Sequence, residues 1–262
     1  MKSCGVIGAG NMAQALFNPM HGFFSNNFSK IKIYTPSGKR ARELGQTLGG
    51  VSAKSLQELE DCDVVILAHK PQQLMDVAQA FRPKKKCLII SMLAAIETKK
   101  IQQVFDIEDV LRIMPNTPAM VGRGIIMYFS TTKSQEIDQW IDGFSQYSLV
   151  KELAEEKLID ILTPELGSGP GLAFEILRVF SSSLEQKGFS SKQADQFAAE
   201  VFGGACKMVQ ETGERPEELR DKVTSKGGIT QACLEVLAQK NIEEIFHQSF
   251  KSGHNRSLEL GQ

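Results

Sequence analysis

Along the first 150 residues, short runs of adjacent apolar side chains alternate with stretches whose apolar positions recur every three or four residues. The runs are Cys4–Ile7, Ile31–Tyr34, Val64–Leu67, Cys87–Ile90, Val110–Ile113 and Ile125–Tyr128. Short, nearly all-apolar runs of this kind predict strands buried on both faces. Ala41–Leu48 and Leu74–Phe81, between them, have helical spacing. Strand and helix in alternation predict the α/β class, with a parallel, doubly wound sheet covered on both sides.

After about residue 153 the strand-like runs stop. Leu158–Leu162, Leu172–Gln186, Ser191–Glu211, Gln231–Gln239 and Ile242–Leu260 read as helices, punctuated by Gly188, Gly213-Glu214-Arg215-Pro216 and Gly227-Gly228. Two domains are expected, a doubly wound one over 1–152 and an all-helical one over 153–262. A small helical domain with long amphipathic helices gains by burying apolar faces on a second copy, so a homodimer or higher homo-oligomer is expected.

Composition narrows the function. The chain has 262 residues, 42% hydrophobic and 23% charged, enough for one large or two moderate packed domains. Its formal net charge is −1 and it has no basic block, which argues against a nucleic-acid partner. Apolar core sequence is reached by Val6-Ile7, too early for a charged leader. No apolar run nears the roughly 20 residues that span a bilayer, so a cytoplasmic protein without a membrane partner is expected. Cys4, Cys62, Cys87, Cys206 and Cys233 form no Cys-x-x-Cys pair and no cysteine–histidine ligand spacing. They read as free, buried thiols, and no metal site is expected.

The chemistry starts at Gly8-Ala9-Gly10-Asn11-Met12-Ala13, directly after the first strand and opening a helix. Gly8 permits a tight turn and Gly10 lets the backbone approach a pyrophosphate. Ala13, in the third glycine's place, keeps helix and strand close. The pyrophosphate would meet free N–H groups of Asn11 and Met12 at the helix start. These features identify a Rossmann-type dinucleotide-binding domain. The second strand ends in Tyr34-Thr35-Pro36-Ser37-Gly38-Lys39-Arg40, with no carboxylate for a ribose 2′-hydroxyl. The Thr35 and Ser37 hydroxyls with the Lys39 and Arg40 cations favour a 2′-phosphate, hence NADPH, with NADH possible. Ligands in such sheets bind beyond the carboxyl ends of strands. His69-Lys70-Pro71, Ala94 and Asn116 follow the third, fourth and fifth strands and are expected to line the cofactor. The stiff Pro115-Asn116-Thr117-Pro118 loop is suited to the nicotinamide carboxamide and ribose. His21, His247 and His254 lie in polar stretches and read as surface residues.

The segment Arg112-Ile113-Met114-Pro115-Asn116-Thr117-Pro118-Ala119-Met120-Val121-Gly122-Arg123-Gly124 resembles the central signature of the pyrroline-5-carboxylate reductases. Gly8–Ala15, Lys70-Pro71-Gln72, Gly167-Ser168-Gly169-Pro170 and Asp221–Thr230 resemble the same family in the same order. The resemblance covers essentially the whole chain. It implies reduction of L-pyrroline-5-carboxylate to proline with NAD(P)H, and a helical domain interlocked with a partner subunit. It also implies that Ser225, Gly227, Gly228 and Thr230 receive the substrate carboxylate through backbone N–H groups and hydroxyls. Thr230 would orient the ring nitrogen and relay a proton. Read alone, the paired glycines fit an anion-binding turn or an ordinary turn between helices. The chain departs from the family pattern at Ala95, Leu166, Gly171, Leu172 and Lys226, and at Ile229, a position the family does not hold fixed. A related imine reductase, a hydroxyacid reductase and a non-catalytic NADP-binding protein are the alternatives. The second of these needs a lysine on the first long helix of the second domain, and Gly167–Gln186 contains none.

Overall fold

The computed structural model describes residues 2–260. Among these residues eight strands are observed: β1 (Lys2–Ile7), β2 (Phe28–Tyr34), β3 (Val51–Ser52), β4 (Val64–Leu67), β5 (Leu88–Ser91), β6 (Val110–Pro115), β7 (Gly124–Ser130) and β8 (Ser148–Glu152). Helices in the same region are α1 (Asn11–Phe17), α2 (His21–Asn27), α3 (Lys39–Leu48), α4 (Leu74–Ala80), α5 (Thr98–Phe105), α6 (Gln135–Ser145) and α7 (Lys157–Leu162).

The strands form one sheet in the order β3-β2-β1-β4-β5-β6-β7-β8. Alternation along each strand divides its side chains between two cores. Cys4, Val6, Val64, Ile66, Leu88 and Ile90 pack with Leu16, Phe24, Leu44 and Trp140 from α1, α2, α3 and α6. Ile7, Val65, Leu67 and Ile89 pack on the opposite face with Leu74, Val77, Ile101 and Phe105 from α4 and α5. The sheet is therefore covered on both sides, as the unbroken apolar runs require. The chain winds outward from β1 in one direction through β2 and β3, then in the other through β4 to β6. The crevice that this reversal opens lies beyond the ends of β1 and β4.

Two expectations are corrected. The sheet is parallel only through β6: β7 runs antiparallel to β6, and β8 parallel to β7. The eight residues Asn116–Arg123 that join β6 to β7 are too few for a crossover helix, so the chain returns by a hairpin. The sheet also has two strands beyond the six expected, β3 and β8, and neither has an apolar run: β3 has two residues and Leu149 of β8 is exposed.

The helical region contains α8 (Gly169–Glu185), α9 (Ser191–Thr212), α10 (Pro216–Lys222), α11 (Ile229–Gln239) and α12 (Ile242–Leu260). The chain divides into two compact units. One contains the residues up to Ser168 and those from Gly253 onward, the other Gly169–Ser252. The division thus falls later than the expected 152/153. Ile159 of α7 packs with Met114, Met127 and Leu153, which ties α7 to the sheet unit.

Within α8 to α11 the buried residues are Ser181, Ala194 and Ala198, among the described residues. Phe180 stacks edge-on against Phe202 and Phe189 against Phe197. Yet Phe174, Phe180, Phe197, Val201, Met208 and Ile229 are all exposed. This unit has helices without a core of its own. The same lack of cover corrects the cysteine expectation: Cys4, Cys62 and Cys87 are buried in the sheet unit, but Cys206 and Cys233 are exposed on α9 and α11.

Candidate active site

A cavity of about 840 Å³ opens at the reversal point of the sheet, lined by Gly8, Gly10, Asn11, Met12, Thr35, Ser37, Arg40, His69, Lys70 and Pro71 among others. Ten predicted cofactor residues from three separate stretches thus meet on one cavity, of a size that suits a large ligand. Gly8 has φ +101°, and a Cβ there would lie 2.4 Å from the Ala68 carbonyl oxygen, so only glycine fits. Gly10 is different. Its backbone is extended (φ −71°, ψ −179°) and no heavy atom lies within 4 Å of an added Cβ. Space is left open where a ligand would approach the chain. The first helical bond of α1 runs from Gln14 N to Gly10 O at 3.0 Å. The N–H groups of Asn11, Met12 and Ala13 therefore have no helical acceptor, which is what an anion on this turn requires. Ala13 is buried beneath the turn, packing α1 onto the sheet.

At the far end of the cavity, Ser37 and Arg40 are exposed on its rim, and the Thr35 hydroxyl is buried without a hydrogen-bond partner. A hydroxyl in that state invites a ligand atom. Lys39 is exposed and does not line the cavity, so of the two predicted cations Arg40 is the one in place. His69 Nδ1 lies 2.9 Å from the Lys70 carbonyl oxygen. A carbonyl only accepts, so Nδ1 carries the proton, and Nε2 is left buried with no partner. Burial pushes the His69 pKa below its ordinary value, against the upward pull of the Lys70 carbonyl. At neutral pH the ring is an uncharged acceptor on the cavity wall. These features together fit a dinucleotide with a 2′-phosphate.

Sequence reasoning missed the opposite wall, formed by Leu56, Asp76, Val77 and Ala80. Leu56, Val77 and Ala80 carry no signal beyond an ordinary helical or core position, and only packing brings them here. Pro71 also borders a second cavity of about 740 Å³ with Gln72, Ala95, Glu97, Lys100, Asp160 and Ser257.

Two of the expected cofactor residues, Asn116 and Ala94, do not line this cavity. Asn116 is buried; its Nδ2 donates to Leu166 O at 2.8 Å, and its Oδ1 accepts from Ile125 N at 2.8 Å. Each end of the amide is used once within the protein, which fixes the loop after β6 and leaves one Nδ2 hydrogen and one Oδ1 lone pair for a ligand. Ala94 packs on the apolar cluster of Met114, Met127, Leu153 and Ile159 and is absent from the lining of the dinucleotide cavity.

In the helical unit, a turn joins α10 to α11. Gly227, at φ +72°, donates its N–H to Gln231 Oε1 at 2.7 Å, and Gly228 donates to Ser225 O at 2.9 Å. Both glycine N–H groups thus have acceptors within the turn, an exposed side chain for Gly227 and a carbonyl for Gly228. A Cβ on Gly228 would lie 2.3 Å from Ser225 Oγ, a hydroxyl that can rotate away, and 3.0 Å from the Ser225 carbonyl oxygen. The first helical bond of α11 runs from Ala232 N to Gly228 O. The donors without a helical acceptor are therefore those of Ile229, Thr230 and Gln231. Ser225 is exposed and Thr230 half-buried.

Residues 156–260 match the family model described as pyrroline-5-carboxylate reductase dimerisation, and residues 3–95 match that described as NADP oxidoreductase coenzyme F420-dependent. The chain is 31% identical to the pyrroline-5-carboxylate reductase of Synechocystis sp., over 98% of each chain. It is also 31% identical to that of Staphylococcus haemolyticus, over 97% of this chain and 96% of the other. Among solved structures, the Plasmodium falciparum pyrroline carboxylate reductase with NADP bound superposes with a TM-score of 0.88 at 25% identity, covering 100% of this chain and 98% of that one. The Coxiella burnetii pyrroline-5-carboxylate reductase gives 0.82 at 27% identity, covering 100% and 99%. A glycine turn built for a dinucleotide, a helical unit without its own core and full-length identity above 30% point the same way: the chain belongs to the pyrroline-5-carboxylate reductase family.

Proposed function

We propose that this chain reduces the C=N bond of L-pyrroline-5-carboxylate to give L-proline, with NADPH preferred over NADH. The observation that carries the reading is the cavity at the sheet reversal, joined to the full-length likeness to named pyrroline-5-carboxylate reductases. When bound, reduced nicotinamide supplies the hydride that adds to the imine carbon. Gly8, Gly10 and the open N–H groups of Asn11 and Met12 hold the pyrophosphate. Thr35, Ser37 and Arg40 take the 2′-phosphate, and among the described residues Asp76 is the one carboxylate on the cavity that works against it.

The substrate carboxylate is received by the 225–230 turn, of this chain or of a second copy. The Ser225 hydroxyl and the N–H groups of Ile229 and Thr230 are its donors. The Thr230 hydroxyl orients the ring nitrogen and relays a proton from water to it. A protonated imine is already electrophilic, so most of the rate comes from positioning in a site shielded from water. A homodimer formed through the helical unit follows from its exposed apolar faces, which a second copy would cover. An alcohol chemistry is disfavoured by α8, which carries no lysine and whose Arg178 is paired with Glu175 at 2.6 Å.

The test is cofactor oxidation by the purified full chain with and without pyrroline-5-carboxylate, using NADPH and then NADH. Saturable oxidation favouring NADPH supports the reading. NADPH binding without turnover of any cyclic imine would identify a cofactor-binding protein and refute it.

A further inference from the structure

Arg112 of β6 is fully buried, yet it is neither on the dinucleotide cavity nor at the 225–230 turn. Its Nη1 donates to Glu156 Oε1 at 3.1 Å and its Nη2 to Asp160 Oδ1 at 2.6 Å. Glu156 has a second grip. Its Oε1 accepts from Thr98 N and its Oε2 from the Thr98 hydroxyl, both at 2.7 Å. Thr98 starts α5, directly after the loop in which Ala95 adopts φ +59°. A non-glycine residue holds that conformation only when its surroundings impose it. One turn beyond α7, the Leu166 carbonyl accepts from Asn116 Nδ2 at 2.8 Å. The single segment 156–166 therefore holds the loop after β5 through Thr98, β6 through Arg112 and the loop after β6 through Asn116. Asp160 and Ala95 also share the wall of the second cavity.

We infer that Arg112, Glu156 and Asp160 form a positioning clamp for hydride transfer, holding the loops beyond β5 and β6 in the arrangement that orients the reduced nicotinamide. The inference rests on the reading under Proposed function. A buried guanidinium fork bridging two carboxylates fixes geometry in a way that a lysine cannot, since an ammonium is a point charge without the fork. Glu156 acts by accepting hydrogen bonds. A glutamine keeps an oxygen for Arg112 and Thr98 N, and its amide faces a Thr98 hydroxyl that can turn to accept.

The experiment compares Glu156→Ala, Arg112→Lys and Glu156→Gln in the full chain. NADPH affinity, the emission of bound reduced nicotinamide, kcat, and the isotope effect with NADPH deuterated at the transferred position are measured. Circular dichroism monitors folding. In Glu156→Ala and Arg112→Lys, NADPH affinity is retained, because the pyrophosphate turn is untouched. The emission of the bound nicotinamide moves toward that of free cofactor, kcat falls roughly tenfold to a hundredfold, and the isotope effect on kcat grows. Glu156→Gln recovers most of both losses. The inference is overturned if emission and isotope effect stay at wild-type values, if affinity and melting temperature fall in step with kcat, or if Glu156→Gln is no better than Glu156→Ala. Should Arg112→Lys not fold, the Glu156 pair decides alone. A wild-type chain that binds NADPH without reducing pyrroline-5-carboxylate refutes the functional reading instead, and the emission comparison still judges the clamp.

Discussion

Gly10→Ala separates cofactor binding from folding more cleanly than any other single change in the dinucleotide turn. The Gly10 backbone is already in a region open to every residue, and an added Cβ meets nothing within 4 Å. Neither strain nor overlap is therefore introduced. Alanine is a poorer N-cap for α1 than glycine by about 0.5–1 kcal/mol. It also removes about 0.4–1 kcal/mol of unfolded-chain entropy. The two nearly cancel, and the melting temperature of the cofactor-free chain should move by no more than about 2 °C. The methyl group, however, fills the space through which a pyrophosphate reaches the backbone. Losing one charge-assisted hydrogen bond costs about 1.5–3 kcal/mol, which weakens NADPH binding roughly tenfold to a hundredfold. Thermal unfolding without cofactor and a fluorescence titration with NADPH measure the two quantities on one sample. Unchanged affinity would refute the placement of the pyrophosphate. A melting temperature lowered by many degrees would refute the claim that the space is empty.

Gly8→Ala should do the opposite, costing about 3 kcal/mol of stability through its left-handed φ and its overlap with the Ala68 carbonyl, and thermal unfolding without cofactor measures this. Thr230→Ala should lower kcat/KM for pyrroline-5-carboxylate about a hundredfold while leaving the NADPH dissociation constant in place; equal loss of both would remove Thr230 from the proton relay. Asp63 is raised by burial but held down to about 2 by Lys85 and by the N–H and hydroxyl of Ser3. Its stabilisation is complete above the unfolded carboxylate value of about 3.9 and disappears as pH falls toward the folded value. Urea unfolding of Asp63→Asn should accordingly show a deficit against wild type near neutral pH that closes below pH about 4, and a constant deficit would count against the assignment.

Local pattern determined much of this protein. The glycine turn was legible because φ sign and close approach act within a few residues: Gly8 needs its positive φ whatever surrounds it. The central strands were legible because burial on both faces demands uninterrupted apolar runs. The absence of a carboxylate at the end of β2 and the run of helices after residue 153 could likewise be seen in the sequence. Tertiary structure decided what depends on partners distant along the chain. β8 takes its place by edge pairing with β7 and has no apolar run to announce it. Asn116 donates from its amide to Leu166, 50 residues away, and Arg112 lies between carboxylates 44 and 48 residues further on. Asp76 and Leu56 reach the cofactor cavity through packing of elements that show only ordinary amphipathic spacing. Backbone conformation and periodicity are short-range properties written in neighbouring residues. The partner of a buried polar group is set by where the folded chain brings another segment past it.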